Sequence, residues 1–479
     1  MTNKLLKENI IKHKEIIGII LFFSMISIVF ILRFVRGNPF LHSEESYYHL
    51  NNIFNIIKGN AGYGFHLFLK SISKIIPTSG FFLVTPILGL LSILIFNKIS
   101  KKFKIDSFTS LLFIIIFILS PSTIQAYSTL STLPLVLFLL LLGTYLLTKK
   151  RISILAVPAF LFIPIIEPLS GILAIIIILI YIQFKEKSPE LVETIRHLKT
   201  KSSSHLCVMA TFIFTIIMII LSKTSWLGFK SFNSGILVNL ISDLGANSGI
   251  SIFIFILAIV GLTISGRRSK HQFTILSGTM ILYVLNQNYI FFLSIILSYA
   301  AAIALTKLSD SKWKLREIKK LTLFLLILGI LFSTMTFVDR VIEYPPQGEM
   351  VESLVWLNEY AKPESYNAHV VLSLPEDNYY VEYFSGYPSF DHTKINLNQL
   401  EMEQIDNNKI IQGQEIFALP YLHLLSPRFE RQSAKYIYIN PKVKEQLGED
   451  SGLLFALRNE KFKLLYSSDE HEVWKIRKR

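Results

Sequence analysis

The sequence has few charged residues and a single cysteine. Charged side chains make up 17% of its 479 residues, against about 25% in an ordinary soluble domain. Hydrophobic residues make up 51%, and the mean hydropathy is +0.48. This balance excludes a soluble globular protein and a disordered one, and it predicts a polytopic membrane protein. The lone Cys207 excludes an internal disulfide and a cysteine-based metal site.

Several familiar functional motifs are also missing from the sequence. It has no phosphate-binding P-loop, no dinucleotide fingerprint and no G-x-S-x-G nucleophile elbow. It has no basic patch interleaved with aromatic residues, so we expect no nucleic-acid partner despite the net charge of +14.

Long apolar segments predict an α-helical membrane domain. A transmembrane helix needs about 20 apolar residues, and some have as few as 17. We predict eleven spans, at 16–34, 80–97, 107–125, 132–148, 152–166, 168–184, 205–222, 248–265, 272–285, 287–306 and 320–337.

The distribution of basic residues predicts the orientation of these spans. With a cytoplasmic N-terminus, the inner segments carry 24 Lys or Arg and the outer loops carry six. Positive charge accumulates on the cytoplasmic side of membrane proteins. An odd number of spans then places the C-terminal tail outside the cytoplasm.

The tail has a different character from the rest of the chain. VVLSL, AKYIYI, FKLLY and HEVWKI are typical of short strands, and ESLVWLNEYA and KVKEQL are typical of helices. We therefore predict a multi-span membrane domain over 1–337 and an extracytoplasmic α/β domain over 338–479, with YPPQGE as the linker between them.

Acidic residues in the predicted outer loops of the membrane domain are candidates for chemistry. There are four of them, Glu44, Glu45, Glu167 and Asp243. For each, the alternative is a structural role: favouring a helix N-terminus for the first two, a buried turn for Glu167, and a loop or helix cap for Asp243.

Glu44 and Glu45 begin a segment with helical spacing of its apolar residues. We predict an amphipathic helix over 46–57, lying at the membrane surface with Tyr47 and Tyr48 in the interfacial aromatic belt. Glu45 and His49 are four residues apart and share a face of that helix. Carboxylates are hard oxygen ligands suited to Mg²⁺ or Mn²⁺.

Three segments resemble the catalytic subunit of oligosaccharyltransferase, within the GT-C class of membrane glycosyltransferases. The tail segment SLVWLNEYAKPESYNAHVVLSLPEDNYYVEYFSGYPSFDH (353–392) is similar to the start of that family's outer domain. ESYYHLNNI resembles its first outer loop, and ISDLGANSGIS resembles its fifth. The branch of the family that these segments resemble favours an archaeal source. The high usage of Ile, Lys and Asn is consistent with that source.

The resemblance implies a set of functional residues. Glu45 and Asp243 would hold the metal, Mg²⁺ or Mn²⁺, with His49 nearby, and Glu44 would join them in catalysis. Residues at the position of the family's acceptor-binding WWDYG motif are Leu374, Pro375, Glu376, Asp377 and Asn378. Residues that would contact the donor phosphate are Lys58, Lys223 and Lys230, for which the alternative is an interfacial anchor.

The implied function is transfer of a sugar or oligosaccharide from a polyprenyl-phosphate or polyprenyl-diphosphate donor to a protein or lipid acceptor at the outer face of the cell membrane. Two alternatives stay open. A non-catalytic assembly or binding subunit is favoured by the altered WWDYG segment and by the lack of an acid in PSTIQAYSTLSTLP (121–134). A transporter is disfavoured because charges avoid the middle of the spans and no internal repeat is visible.

Overall fold

The computed structural model is mostly helical, with a β-sheet near its C-terminal end. It divides into two compact units, the first comprising residues 1–33 and 52–343 and the second comprising residues 34–51 and 344–479. The structure describes residues 13–54, 62–149, 152–186, 209–218, 236–246, 248–265, 270–361, 370–389, 434–447, 457, 462–468 and 470–476.

The first unit is built from apolar helices joined by short turns. Its described α-helices are Lys14–Val35, Tyr63–Ile72, Val84–Lys102, Ser107–Leu119, Pro121–Ser128, Leu133–Leu147, Ala156–Ile166, Ser170–Glu186, Met209–Met218, Ile236–Leu240, Ile252–Ser265, Lys270–Leu285, Ile290–Asp310 and Arg316–Ile342. The described 3₁₀ segments of this unit are Thr78–Leu83, Ser153–Leu155, Ser242–Leu244 and Gln287–Tyr289.

Many of these helices have the length and composition of membrane spans. Within the described residues, four helices qualify, at Lys14–Val35, Thr78–Lys102, Gln287–Asp310 and Arg316–Ile342, and a bent pair adds a fifth. Shorter apolar helices are Leu133–Leu147, Ser153–Ile166, Ser170–Ile182, Met209–Met218, Ile252–Ser265 and Phe273–Leu285. Each of the eleven predicted spans overlaps one of these elements. The chain is a multi-pass membrane protein, while the number of crossings and their orientation stay predictions.

The bent pair has a local cause. Ser107–Leu119 and Pro121–Ser128 meet at an angle of 64°. Pro121 has no backbone N–H to donate and disfavours helical backbone at the residue before it. Ser120 is accordingly extended, with ψ of 131°. The upstream helix starts at an N-cap, where the Asp106 carboxylate accepts from the Thr109 N–H at 2.9 Å.

A close helix pair lies in the interior of the first unit. Ile252–Ser265 packs along Ile290–Asp310. At the crossing, a Cβ added to Gly261 would lie 1.9 Å from the backbone oxygen of Ala300. Small residues of this kind let helix backbones approach closely in membrane proteins.

Gly261→Ala is therefore expected to lower stability by about 1–3 kcal/mol, the usual cost of overpacking, although alanine favours helices more than glycine does. Gly278→Ala is the matched control, because its new Cβ would meet only the flexible end of the Ile176 side chain, at 2.7 Å. Thermal unfolding in detergent would compare the two. An equal midpoint for both variants would contradict the prediction.

The second unit combines the first predicted outer loop with the tail. Its helices are Glu44–Phe54 (to residue 51), Gly348–Ala361, Asn378–Ser385 and Pro441–Leu447, with a 3₁₀ turn at Pro375–Asp377. Its strands are β1 (Val370–Leu372), β2 (Ala434–Ile439), β3 (Phe462–Ser467) and β4 (Glu472–Ile476). All four predicted strands and both predicted tail helices are confirmed.

The four strands form one sheet in the order β1-β2-β4-β3. β1 runs parallel to β2, with Val371 opposite Tyr436, and the other two pairings are antiparallel. Residues 436–439 of β2 are all buried, as expected for a strand inside a sheet that is covered on both faces.

Candidate active site

The helix Glu44–Phe54 carries the acids of the first predicted outer loop. It begins at Glu44, after Ser43 in the left-handed region with φ of 72°. Glu44 is exposed and Glu45 is half-buried. The Glu45 Oε1 atom lies 3.7 Å from Nε2 of the buried His49, so the two predicted metal ligands do share a face.

This helix packs within the second unit through its aromatic residues. The Tyr47 ring contacts the rings of Tyr380, Tyr383 and Phe384 with centroids 5.1–5.2 Å apart, and Tyr47 is 3% exposed. Tyr48 contacts the ring of Tyr379 at 5.2 Å. The predicted helix is present, but the predicted interfacial location of Tyr47 is wrong, because its ring is buried against the tail helix Asn378–Ser385.

The segment at the WWDYG position forms a tight turn. Leu374 is buried, and Pro375 opens the 3₁₀ turn that ends at Asp377. Asn378 begins the following helix, and its side-chain oxygen bonds to the Ser373 hydroxyl at 2.9 Å. Glu376 is partly exposed and pairs with Lys442 at 3.0 Å.

Asp377 is the buried acid of this turn. Its Oδ2 accepts from the Asn440 amide at 2.7 Å. Burial raises the pKa of the Asp377 carboxyl to about 7, and the nearby charges of Glu376 and Glu44 also raise it. The Lys442 charge and the bond from Asn440 oppose this shift.

The structure thus brings Glu44 close to the motif turn within the second unit. The Glu44 charge acts on Asp377, and it also raises the pKa of the Tyr379 hydroxyl, for which burial is the larger cause. We call Glu44, Glu376 and Asp377 the carboxylate cluster. Glu44 is about 330 positions away in the chain from the adjacent pair Glu376 and Asp377, yet its charge acts on the Asp377 carboxyl.

Asp243, in the first unit, has extensive structural contacts. Its Oδ2 accepts from the Ile252 N–H at 2.7 Å, at the start of the helix Ile252–Ser265, and its Oδ1 accepts a very short bond from the Ser333 hydroxyl. Arg340 donates to the Ser242 carbonyl at 2.8 Å and fixes the same loop. The helix-cap alternative is therefore supported, and a metal role for Asp243 stays a proposal.

The remaining predicted residues contribute less to the site. Glu167 is a buried turn carboxylate that accepts from the Ser170 hydroxyl at 3.1 Å, which supports its structural alternative. The three predicted phosphate contacts, Lys58, Lys223 and Lys230, lie outside the described residues.

Two residues around the carboxylate cluster were not predicted from the sequence. Asn440 and Lys442 come directly after β2, and Asn440 also accepts from the Val443 N–H at 2.9 Å. The Asn-Pro pair at 440–441 is a helix-start signal. That signal predicts where the helix Pro441–Leu447 begins. It does not indicate that Asn440 contacts Asp377.

A divalent metal fits the donors on the helix Glu44–Phe54. Two ligands about 2.1 Å from one ion at near-octahedral angles lie roughly 3 Å apart, and the Glu45 and His49 donors are 3.7 Å apart. The carboxylate of Glu45 suits Mg²⁺ or Mn²⁺, whereas the imidazole of His49 suits a softer ion such as Zn²⁺. Within the described part of the chain, the group of three acidic or histidine ligands close enough to share an ion lies elsewhere, at Glu349, Glu470 and His471.

Comparison with solved structures identifies the architecture. No family model matches the sequence, and no curated protein matches it either. The fold is similar to the Archaeoglobus fulgidus oligosaccharyltransferase in complex with Zn and sulfate, with a TM-score of 0.54, 13% identity, and coverage of 95% of this chain and 72% of that one.

Two further structures share this architecture. ArnT from Cupriavidus metallidurans gives a TM-score of 0.50 at 9% identity, covering 94% of this chain and 97% of that one. The arabinofuranosyltransferase AftD from Mycobacteria gives a TM-score of 0.50 at 10% identity, covering 96% and 40%. The chain has a GT-C-like fold, which confirms the fold class expected from the sequence.

Proposed function

We propose that this chain is a membrane glycosyltransferase of the oligosaccharyltransferase kind. It would transfer a sugar or oligosaccharide from a polyprenyl-phosphate or polyprenyl-diphosphate donor to a protein or lipid acceptor at the extracytoplasmic face. The observation that carries the proposal is the gathering of Glu44, Glu376 and Asp377 in a chain of GT-C-like fold. One structure of similar fold, with a TM-score of 0.52, holds an acceptor peptide with an NVT sequon.

The chemistry uses the carboxylates in separate roles. The bond between the anomeric carbon and the donor phosphate oxygen breaks, and a bond from that carbon to the acceptor forms. Glu44, exposed at the start of its helix, would orient the acceptor and take its proton. Glu376, paired with Lys442, would bind a second polar group of the acceptor. The buried Asp377 would hold the turn in position through its bond with Asn440.

Glu45, His49 and Asp243 would hold a divalent cation. Such an ion would neutralise charge that develops on the leaving phosphate. Lys58, Lys223 and Lys230 would attract the donor phosphate through their charge.

Replacement of Glu45 by alanine is expected to lower transfer about 100-fold, the scale of losing one group that stabilises developing charge. Asp243→Asn should have a similar effect while keeping an acceptor oxygen for the Ile252 N–H. The measurement is transfer of labelled sugar from polyprenyl-phosphate and polyprenyl-diphosphate donors by protein in liposomes, with unfolding midpoints as a check on folding.

Glu359→Ala is the matched control, because Glu359 is an exposed acid of the same unit as Glu45, and it should transfer normally. Full transfer by both site variants would overturn the assignment of these residues. No transfer by the wild type from either donor class would overturn the proposed function.

A non-catalytic binding subunit is the second candidate. It is favoured by the burial of Leu374 and Asp377, at 2% and 5% exposure, which places two of the five motif residues inside the unit. Neither leucine nor proline offers the indole N–H that a tryptophan in WWDYG would supply. Binding of a lipid-linked sugar without turnover would support this candidate.

A further inference from the structure

A second group of ligands lies in the second unit, and none of its members is among the site residues predicted from the sequence. One carboxylate oxygen each of Glu349 and Glu470, and one ring nitrogen of His471, lie within 4.8 Å of one another. Glu349 is in the first turn of the helix Gly348–Ala361. Glu470 and His471 are in the turn that joins β3 to β4.

The histidine is buried and oriented by a neighbour. His471 is 3% exposed, and its Nδ1 bonds to the Tyr438 hydroxyl at 2.7 Å. The two rings also stack, with an angle of 15° between their planes. In metal sites, a ligating histidine typically uses its second nitrogen for such an orienting bond.

The other ring nitrogen has no protein partner. His471 Nε2 is buried, and no described residue forms a hydrogen bond with it. A buried polar nitrogen without a partner costs free energy, and a metal ion would supply the missing interaction. Burial lowers the pKa of His471 to about 4, with Lys444 adding to the effect. In the tautomer whose Nδ1–H donates to the Tyr438 oxygen, the lone pair of Nε2 would be available to a metal ion.

Hydrogen bonds between Ser468 and His471 hold the turn that carries the histidine. The Ser468 N–H donates to the His471 carbonyl at 2.9 Å, and the His471 N–H donates to the Ser468 hydroxyl at 3.1 Å. Lys444, whose charge acts on His471, is paired with Glu472 at 2.8 Å.

We propose that Glu349, Glu470 and His471 form a binding site for a divalent transition metal of the zinc type. An imidazole with two carboxylates is a ligand set for zinc rather than for magnesium or calcium. Zinc ligands lie about 2.0–2.2 Å from the ion and therefore roughly 3.4 Å from one another. Both glutamates are exposed, so small rotations of their side chains would bring the three ligand atoms to the spacing that one zinc ion needs.

The bound ion would tie the start of the helix Gly348–Ala361 to the β3–β4 turn. The site is independent of the proposed glycosyl transfer, and its role is to fix two elements of the second unit.

Calorimetric titration of Zn²⁺ into the tag-free, detergent-purified full chain tests the proposal. Glu349→Gln and Glu470→Gln are each expected to weaken binding at least tenfold, and the double variant should lose this site. Glu352→Gln is the matched control, since Glu352 is an exposed acid one turn along the same helix, and it should bind as the wild type does.

Two more variants separate this site from other sources of binding. Glu45→Gln should leave Zn²⁺ binding at this site intact, which distinguishes it from the ion proposed at Glu45 and His49. Tyr438→Phe keeps the ring but removes the orienting hydroxyl, so it should weaken Zn²⁺ binding about 10–100-fold. Absence of Zn²⁺ binding by the wild type, or equal binding by the wild type and the Glu349/Glu470 double variant, would overturn the proposal.

Discussion

Replacement of Arg33 by methionine is expected to lower the free energy of unfolding of the first unit by about 2–6 kcal/mol, because two buried carbonyls would each lose a hydrogen-bond donor at a cost of roughly 1–3 kcal/mol. Arg33 is fully buried, and its Nη1 donates to the carbonyls of Val341 and Ile342 at 2.9 and 3.1 Å. Those carbonyls lie in the last turn of the helix Arg316–Ile342, where carbonyls lack the usual i+4 N–H partner of a helix interior. Methionine fills the space but leaves both carbonyls without this donor.

The control for this prediction is Arg36→Met, since Arg36 is exposed and lies three residues further along. Arg33→Lys should fall between the wild type and Arg33→Met, because an ammonium carries the charge but lacks the planar fork of donors. The measurement is thermal unfolding in detergent followed by the helical circular dichroism signal. Similar midpoints for Arg33→Met and Arg36→Met would contradict it.

Asp377→Asn is expected to stabilise the second unit above pH 7. The folded pKa of Asp377 is about 7, against about 3.9 in an unfolded chain. The folded state therefore binds the proton more tightly, and stability falls as the pH rises from about 4 to 7. The full change is on the order of 4 kcal/mol, as an upper limit.

Asparagine is neutral at every pH and can still accept the bond from Asn440. The variant should therefore exceed the wild type at pH 8 and match it near pH 4. Fluorescence of Trp356, which stacks on Tyr360, would follow unfolding of this unit across pH.

Two further variants test the cause of the shift. Glu376→Gln and Glu44→Gln each remove a charge that raises the pKa of Asp377, so each should move the loss of stability to lower pH. Glu359→Gln should leave it in place. The same pH profile for the wild type and Asp377→Asn would show that Asp377 does not carry the effect.

Local patterns predicted most of the secondary structure. AKYIYI alternates β-branched and aromatic residues, and it forms β2 over those six residues. Apolar runs predicted helices in every described span, because the hydropathy of a span depends only on the residues within it. The break at Pro121 was not predicted, since the apolar run predicts one continuous span over 107–125, although its cause is local to Ser120 and Pro121.

Long-range contacts were not predictable in the same way. The resemblance selected both Glu44 and the 374–378 segment, but no periodicity indicates that Glu44 lies beside Asp377. The aromatic face of the helix Glu44–Phe54 suits a membrane interface as well as it suits Tyr380 and Tyr383, so the pattern alone cannot distinguish them. Asn440 and the partners of His471 depend likewise on how distant elements pack.

The division of the chain between its units has a consequence for biosynthesis. Residues 34–51 belong to the same unit as residues 344–479, so their partners are encoded roughly 290 residues later. At about 5–20 residues per second, translation would take roughly 15–60 s to supply them. The segment with Glu44 and Glu45 would therefore be synthesised well before its partners. Tyr47 would stay exposed until those partners have been translated.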